Sequence, residues 1–146
     1  MTEEMKIRLM ESRDVEAVEC LEKQCFSDPW SGKLLLEGLN SKWDTFWVAV
    51  LDDTVIGYSN LRVLSDEGLE RIAVAPDHRR LGIGRKLMEA MEDFAAQNQV
   101  KAVTLEVRSQ NTAALKLYKS YGFEEAGVRR RYYHDPEDDA VIMWQY

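Results

Sequence analysis

The chain has 146 residues, the length of a single domain, with 45% hydrophobic and 31% charged residues and a formal net charge of -7. An acidic chain of this kind lacks the basic face that general nucleic-acid binding needs, while it suits a cationic substrate such as an amine or a basic protein. No segment is apolar over the length of a membrane span, and the acidic opening MTEEMKIRLM has no apolar signal core, so a cytoplasmic protein is expected.

In chain order, KIRLM (6–10) alternates and predicts a short strand. Ser12 is the expected N-cap of a helix in which Val15, Val18, Leu21 and Cys25 recur at helical spacing. Cys20 and Cys25 share that helix but point about 140° apart, which disfavours a disulfide and leaves two reduced, mostly buried thiols. With His78 and His134 as the histidines, no Cys/His spacing points to a metal site. SDPWS (27–31) is a break at Pro29, and GKLLLEGLN predicts a second short helix. TFWVAV (45–50) and TVIGYSNLRV (54–63) read as strands joined by a hairpin at Asp52 and Asp53, and LERIAV (69–74) as a further strand closed by Pro76.

The second half changes rhythm. Residues 84–97 fit a helix with Leu87, Met91 and Phe94 or Ala95 inward. KAVTLEV (101–107) is a strand, NTAALKLYKSYGF (111–123) a helix ended by Gly122, and VRRRYY and AVIMWQY are strands flanking the polar turn HDPEDD. With no repeat or linker, the order predicts one α/β domain over residues 1–146, a mixed central sheet flanked by helices.

One stretch stands out against the acidic background. In HRRLGIGRKLM (78–88), Arg79, Arg80, Arg85 and Lys86 surround Gly82 and Gly84 at a predicted helix start. A helix N-terminus offers unpaired N–H groups and the positive end of the dipole, and glycine admits an anion close to the backbone. A phosphate or diphosphate site is therefore expected, rather than a strand-to-helix loop that happens to be basic. The P-loop spacing is absent. The dinucleotide fingerprint fails too, because Leu87 stands at its third glycine and a polar loop separates strand from glycine.

IAVAPDHRRLGIGRKLM resembles the acetyl-CoA motif of the Gcn5-related N-acetyltransferases, and CFSDPWS, LEVRSQNTAALKLYKSYGF and RRRYYHDPEDDAVIM narrow the resemblance to the ribosomal-protein-alanine N-acetyltransferase (RimI-like) group. The resemblance implies the Gcn5-related fold and acetyl-CoA as cosubstrate without a metal. It implies that Ile72, Ala73 and Val74 line the pantetheine and acetyl group. Arg80, Leu81, Gly82, Ile83, Gly84 and Arg85 would cradle the diphosphate, and Asn111 would add a CoA contact to its N-cap role. The implied acceptor is a protein N-terminus, the alanine of a small-subunit ribosomal protein. A small amine or a lysine side chain is the alternative acceptor, and a CoA-binding module without turnover the alternative of another class.

The residues themselves suggest where chemistry sits. In VTLEVR, Glu106 shares a face with Thr104 and Arg108, opposite Val103, Leu105 and Val107. An acid within an apolar strand reaches a solvent edge, pairs with Arg108, or serves as a general base, the role the resemblance implies. Tyr118 lies with Ala114, Leu117 and Tyr121 on one helical face, a core position by spacing alone. The resemblance makes it the general acid facing the thioester sulfur. A backbone N–H near Val74 would serve the acetyl oxygen. Tyr132 and Tyr133 are strand-edge aromatics by pattern and substrate-binding residues by resemblance. DPEDD reads as a solvated turn, and Trp30, Trp43 and Trp47 as core or groove lining.

Overall fold

The computed structural model describes residues 5–78, 82–134 and 136–146. Its elements are β1 (Met5–Leu9), a 3-10 turn (Ser12–Asp14), α1 (Val15–Cys25), α2 (Gly32–Leu39), β2 (Asp44–Leu51), β3 (Thr54–Leu64) and β4 (Glu67–Val74). After a second 3-10 turn (Pro76–His78) come α3 (Ile83–Gln97), β5 (Ala102–Arg108), α4 (Thr112–Ser120), β6 (Glu124–Tyr133) and β7 (Asp138–Gln145). The strands form a seven-stranded mixed sheet in the order β1-β2-β3-β4-β5-β7-β6. Every neighbouring pair is antiparallel except β4 and β5, which are parallel. Among the described residues no helix is long and apolar enough to cross a membrane.

Side-chain alternation builds two cores, one on each face of the sheet. On one face α3 and α4 bring Leu87, Met88, Met91 and Tyr118 onto Trp47, Leu61, Val103, Leu105 and Met143. On the other, α1 and α2 bring Val18, Leu21 and Leu35 onto Phe46, Val48, Tyr58 and Ala73. The β2–β3 hairpin turns at Asp52 and Asp53, at φ 52° and 62°, a pair of left-handed residues whose twist matches the strands. Helix α3 sits very close to β3: a Cβ added at Gly57 would stand 3.1 Å from Ile83 Cγ2 and 3.1 Å from the Ala73 carbonyl.

The parallel pair is short. Glu67, Gly68 and Leu69 pair with Ala102, Val103 and Thr104, and there the ladder ends. Beyond it β4 stays paired with β3 through Val74, and β5 with β7 through Arg108. The two halves of the sheet therefore part, leaving a wedge between the end of β4 and the end of β5.

Two expectations change. Ser12 does not cap α1. The helix start is fixed by buried Asp14, which accepts from the Glu11 N–H at 2.8 Å and from both Arg8 guanidinium nitrogens at 2.7 and 2.9 Å. The partner comes from β1, so a local reading of caps missed it. Cys20 is exposed rather than buried, and Cys25 is half-buried.

A buried ion pair holds the α1 face to β4. The Glu22 carboxylate is fully buried and accepts from Arg71 Nε at 2.9 Å and Nη2 at 2.7 Å, from the Trp30 N–H at 2.7 Å, and from the Tyr58 hydroxyl. The Arg71 guanidinium is also sandwiched by aromatic rings, with Phe26 at 3.9 Å and Trp30 at 4.1 Å. Removing one partner of such a pair leaves the other charge buried and uncompensated. Glu22→Leu is expected to destabilise the fold by about 3 kcal/mol in urea unfolding. Glu22→Leu with Arg71→Leu should recover part of that loss.

Candidate active site

The wedge and the start of α3 adjoin, because β4 runs into the loop that begins α3. Ile72, Ala73 and Val74 occupy the stretch of β4 beyond the parallel ladder, with their other edge paired to Ser59, Tyr58 and Gly57 of β3. The Val74 carbonyl accepts from Cys25 Sγ at 3.3 Å, so α1 closes over the end of the strand. Arg80 and Leu81 lie outside the described residues.

Gly82 is the N-cap of α3, at φ 76° and ψ 14°, a left-handed conformation that glycine adopts without the Cβ clash. The first helical bond runs from the Lys86 N–H to the Gly82 carbonyl at 3.1 Å. The N–H groups of Ile83, Gly84 and Arg85 therefore belong to the first turn, where no intrahelical acceptor exists. A Cβ at Gly82 would meet none of the described residues within 4 Å. At Gly84 it would stand 3.1 Å from Leu117 Cδ2, so α4 forms the inner wall. Arg85 lies over the Tyr121 ring at 5.7 Å, while the Tyr121 hydroxyl donates to the Arg85 carbonyl at 3.3 Å. First-turn N–H groups without an intrahelical acceptor, a left-handed glycine and adjacent cations fit a phosphate-bearing ligand.

The two proposed acid–base residues enter from opposite faces of the sheet. Tyr118 belongs to the α3/α4 core, 8% exposed, edge-on to Phe123 at 5.8 Å. Burial first, then the negative charges of Glu70 and Tyr133, push its phenol well above the ordinary range. Glu106 alternates with buried Leu105 and Val107 and so points to the α1 face, where its carboxylate stands 3.5 Å from Arg129 Nε. Its charge is thus matched from β6, not by Arg108. Tyr133 lies close enough to both to couple with them: burial first and Glu106 second push its phenol up to about 12.

Arg108 does something else. Its guanidinium donates to the Pro136 carbonyl at 2.8 Å, the His134 carbonyl at 3.2 Å and Ser27 Oγ at 3.1 Å, and lies 4.5 Å over the Tyr133 ring. It ties the β6–β7 turn and the α1–α2 connection to the end of β5. Tyr132 and Tyr133 pack edge to face at 5.1 Å beside Glu106. Tyr132 is 46% exposed, and its phenol is raised by partial burial and then by a hydrogen bond with Glu106. Asn111 caps α4, its Oδ1 accepting from the Ala114 N–H at 3.2 Å, which leaves its amide hydrogens for another partner.

Other expectations are revised. Asp138 is a buried carboxylate rather than part of a solvated turn. It accepts from the Ser109 hydroxyl, from the Gln110 N–H at 3.1 Å and from the Asp139 N–H at 2.7 Å. Trp47 is core, Trp30 covers Arg71, and Trp43 is exposed. Sequence reasoning passed over Glu70, a buried acid in an apolar strand. The rule that singled out Glu106 applies equally to it.

The acetyltransferase (GNAT) family matches residues 15–123. The ribosomal protein bS18-alanine N-acetyltransferase of Escherichia coli (strain K12) is 36% identical over 140 residues, 94% of either chain. The N-alpha-acetyltransferase RimI of Mycobacterium tuberculosis is 35% identical over 149 residues, 97% of this chain and 92% of that one. The crystal structure of the ribosomal-protein-S18-alanine N-acetyltransferase from Escherichia coli superposes with a TM-score of 0.87 at 33% identity, over 97% of this chain and 93% of that one.

Arg108→Ala should free both flanks of the wedge at once. Hydrogen exchange is expected to quicken in the 134–137 turn and around Ser27, with a loss of global stability of only about 1 kcal/mol, because the bonds removed are partly exposed.

Proposed function

The chain belongs to the acetyltransferase (GNAT) family, whose members use acetyl-CoA, and from that premise we propose that residues 1–146 form one N-α-acetyltransferase domain acting on the terminal alanine of a small-subunit ribosomal protein. The names of the similar proteins support the acceptor. The observation that carries the reading is the position of Glu106 beside Tyr132 and Tyr133, on a wedge whose other end meets the glycine mouth of α3.

On this reading Arg80, Leu81, Gly82, Ile83, Gly84 and Arg85 hold the cosubstrate's diphosphate, Ile72, Ala73 and Val74 align its arm along β4, and Asn111 supports it from α4. Acetyl-CoA supplies the activated acetyl group and a thiol leaving group. Tyr132 and Tyr133 bind the backbone of the incoming N-terminus. An α-amino group titrates at about 7.7–8.0, so roughly a tenth or more is already neutral at pH 7. Glu106 therefore need not be a strong base; it must take the amine proton from close by or through one water. A phenol titrates near 10 and a thiol near 8.5, so full transfer from Tyr118 to sulfur is uphill by about 2 kcal/mol even before burial is counted. Tyr118 accordingly acts by donating a hydrogen bond as charge grows on sulfur. A backbone N–H near Val74 receives the acetyl oxygen. Neither Cys20 nor Cys25 is needed as a nucleophile.

Mass spectrometry of peptides incubated with enzyme and acetyl-CoA tests the acceptor. A peptide with a free N-terminal alanine should gain one acetyl group at its α-amine. Equal rates on an N-blocked, lysine-containing peptide would instead select the side-chain acceptor.

Two variants test the site. Glu106→Gln should keep CoA affinity and lower turnover at pH 7 by about 10²-fold, with the deficit shrinking above pH 8 as the amine deprotonates unaided. Gly82→Asp should weaken CoA binding first, seen by calorimetry, through strain at positive φ and repulsion of phosphate.

A further inference from the structure

Strands β6 and β7 pair as Val128 with Val141 and Arg129 with Ala140, and the ladder resumes with Tyr133 opposite Asp138. Between those pairs Arg130, Arg131 and Tyr132 stand against Asp139. Arg131 sits in this bulge at φ 52°, a left-handed conformation that a residue with a Cβ keeps only where its surroundings hold it. A bulge re-aims the side chains beside it, and a slip by one residue would carry Tyr132 and Tyr133 to the opposite faces. What fixes the bulge therefore fixes where the two tyrosines stand.

The Arg131 N–H donates to Asp139 Oδ1 at 2.9 Å. Asp139 is itself held through its backbone. Its N–H donates to Asp138 Oδ1 at 2.7 Å, and its carbonyl accepts from the Ser109 N–H at 2.9 Å. The buried Asp138 carboxylate in turn accepts from the Ser109 hydroxyl and the Gln110 N–H. The oxygen that receives Arg131 is thus anchored to the residues that follow β5, the strand of Glu106. The side chains of Arg131 and Glu137 also pair, at 3.4 Å, but they are 83% and 67% exposed, and such a pair contributes little. The hold on the bulge falls to the bond from the Arg131 backbone to the Asp139 carboxylate. At the other end of the bulge, Arg129 stands 3.5 Å from Glu106 and lies 5.9 Å over the Tyr132 ring. Tyr132 and Tyr133 pack edge to face at 5.1 Å, and Arg108 of β5 lies 4.5 Å over Tyr133.

We propose that Asp139 is a positioning residue for the acceptor: its carboxylate holds Arg131 in the left-handed conformation and so sets the bulge that presents Tyr132 and Tyr133 beside Glu106. This role rests on the acetyltransferase reading above, in which the two tyrosines bind the backbone of the incoming N-terminus. Asp139 acts through the tyrosines and takes no proton. Its oxygen matters more than its charge, because the partner is a neutral backbone N–H. An amide oxygen in the same place can accept that bond, whereas a carboxylate set one methylene further out is displaced from it. Changing the side chain leaves the Asp139 carbonyl and N–H in place, so the bonds to Ser109 and Asp138, and the neighbouring Asn111, are kept. Acceptor binding should therefore suffer before cosubstrate binding does.

The experiment measures kcat, both KM values and CoA affinity by calorimetry, with a peptide bearing a free N-terminal alanine as acceptor. The enzymes are the wild type, Asp139→Ala, Asp139→Asn, Asp139→Glu and the double variant Tyr132→Phe with Tyr133→Phe. Asp139→Ala should raise the acceptor KM about tenfold, the loss of one hydrogen bond, and leave the acetyl-CoA KM and CoA affinity within about twofold. Asp139→Asn should return the acceptor KM to within about threefold of the wild type. Asp139→Glu should behave like Asp139→Ala. In the background of the double tyrosine variant, Asp139→Ala should add little to the acceptor KM. Independently of turnover, amide exchange across residues 129–133 should quicken in Asp139→Ala and not in Asp139→Asn. A folded Asp139→Ala enzyme with unaltered acceptor KM, beside a tyrosine variant that raises it, overturns the role of Asp139 alone. Equal rises in the acceptor and acetyl-CoA KM values overturn it as well, because the residue then supports the fold at large. Failure of both Asp139→Ala and Asp139→Glu to fold does the same. A double tyrosine variant with unaltered acceptor KM overturns the acceptor reading, and the role of Asp139 with it.

Discussion

When β4 and β5 part after Leu69 and Thr104, two strand edges are left without each other inside one sheet. An unpaired edge carries N–H and C=O groups that a protein interior does not tolerate unsatisfied. Pairing on the outer side holds each half-sheet in place, and at the end of β4 the Val74 carbonyl accepts from Cys25 Sγ. Strand β4 is fully laddered to β3, and β5 to β7. Beyond Leu69 and Thr104 the inner edges of β4 and β5 no longer face each other as a ladder. The ion pair of Glu22 with Arg71 belongs to the same design, because it anchors the diverging end of β4 to α1.

Charge is sorted around that opening. The acidic chain concentrates Arg85 and Lys86 at the start of α3, where the helix dipole has the same sign. Around the sheet the carboxylates differ in what answers them. Glu106 faces Arg129 and the hydroxyl of Tyr132, and Glu22 is fully paired by Arg71 and Tyr58, whereas Glu70 has Glu92 as its charged neighbour.

Much of the fold was legible because its signals are local. The helical spacing of Leu87 and Met91, the alternation in VTLEVR and the glycines of the α3 mouth each lie within a few residues of one another. What escaped depends on partners far along the chain. Asp14 displaced Ser12 at the start of α1 because Arg8 reaches it from β1. Glu106 pairs with Arg129 rather than Arg108 because of the shifted β6–β7 register, in which Arg131 takes a left-handed turn. Arg108 is thereby released to stitch the turn at Pro136 to Ser27. The exposure of Cys20 was legible, though not drawn, since it stands about 200° around α1 from buried Val18.

The close approach of Gly84 to Leu117, where an added Cβ would stand 3.1 Å from Cδ2, joins two parts of the protein that would otherwise vary separately. Leu117 is the immediate predecessor of Tyr118 on α4. A side chain at 84 must be absorbed by a small movement of the Leu117 side chain or of the helix that carries Tyr118. A change of side-chain size at 84 is thus felt by the helix that carries Tyr118, and substitutions at 84 and 117 are expected to be non-additive.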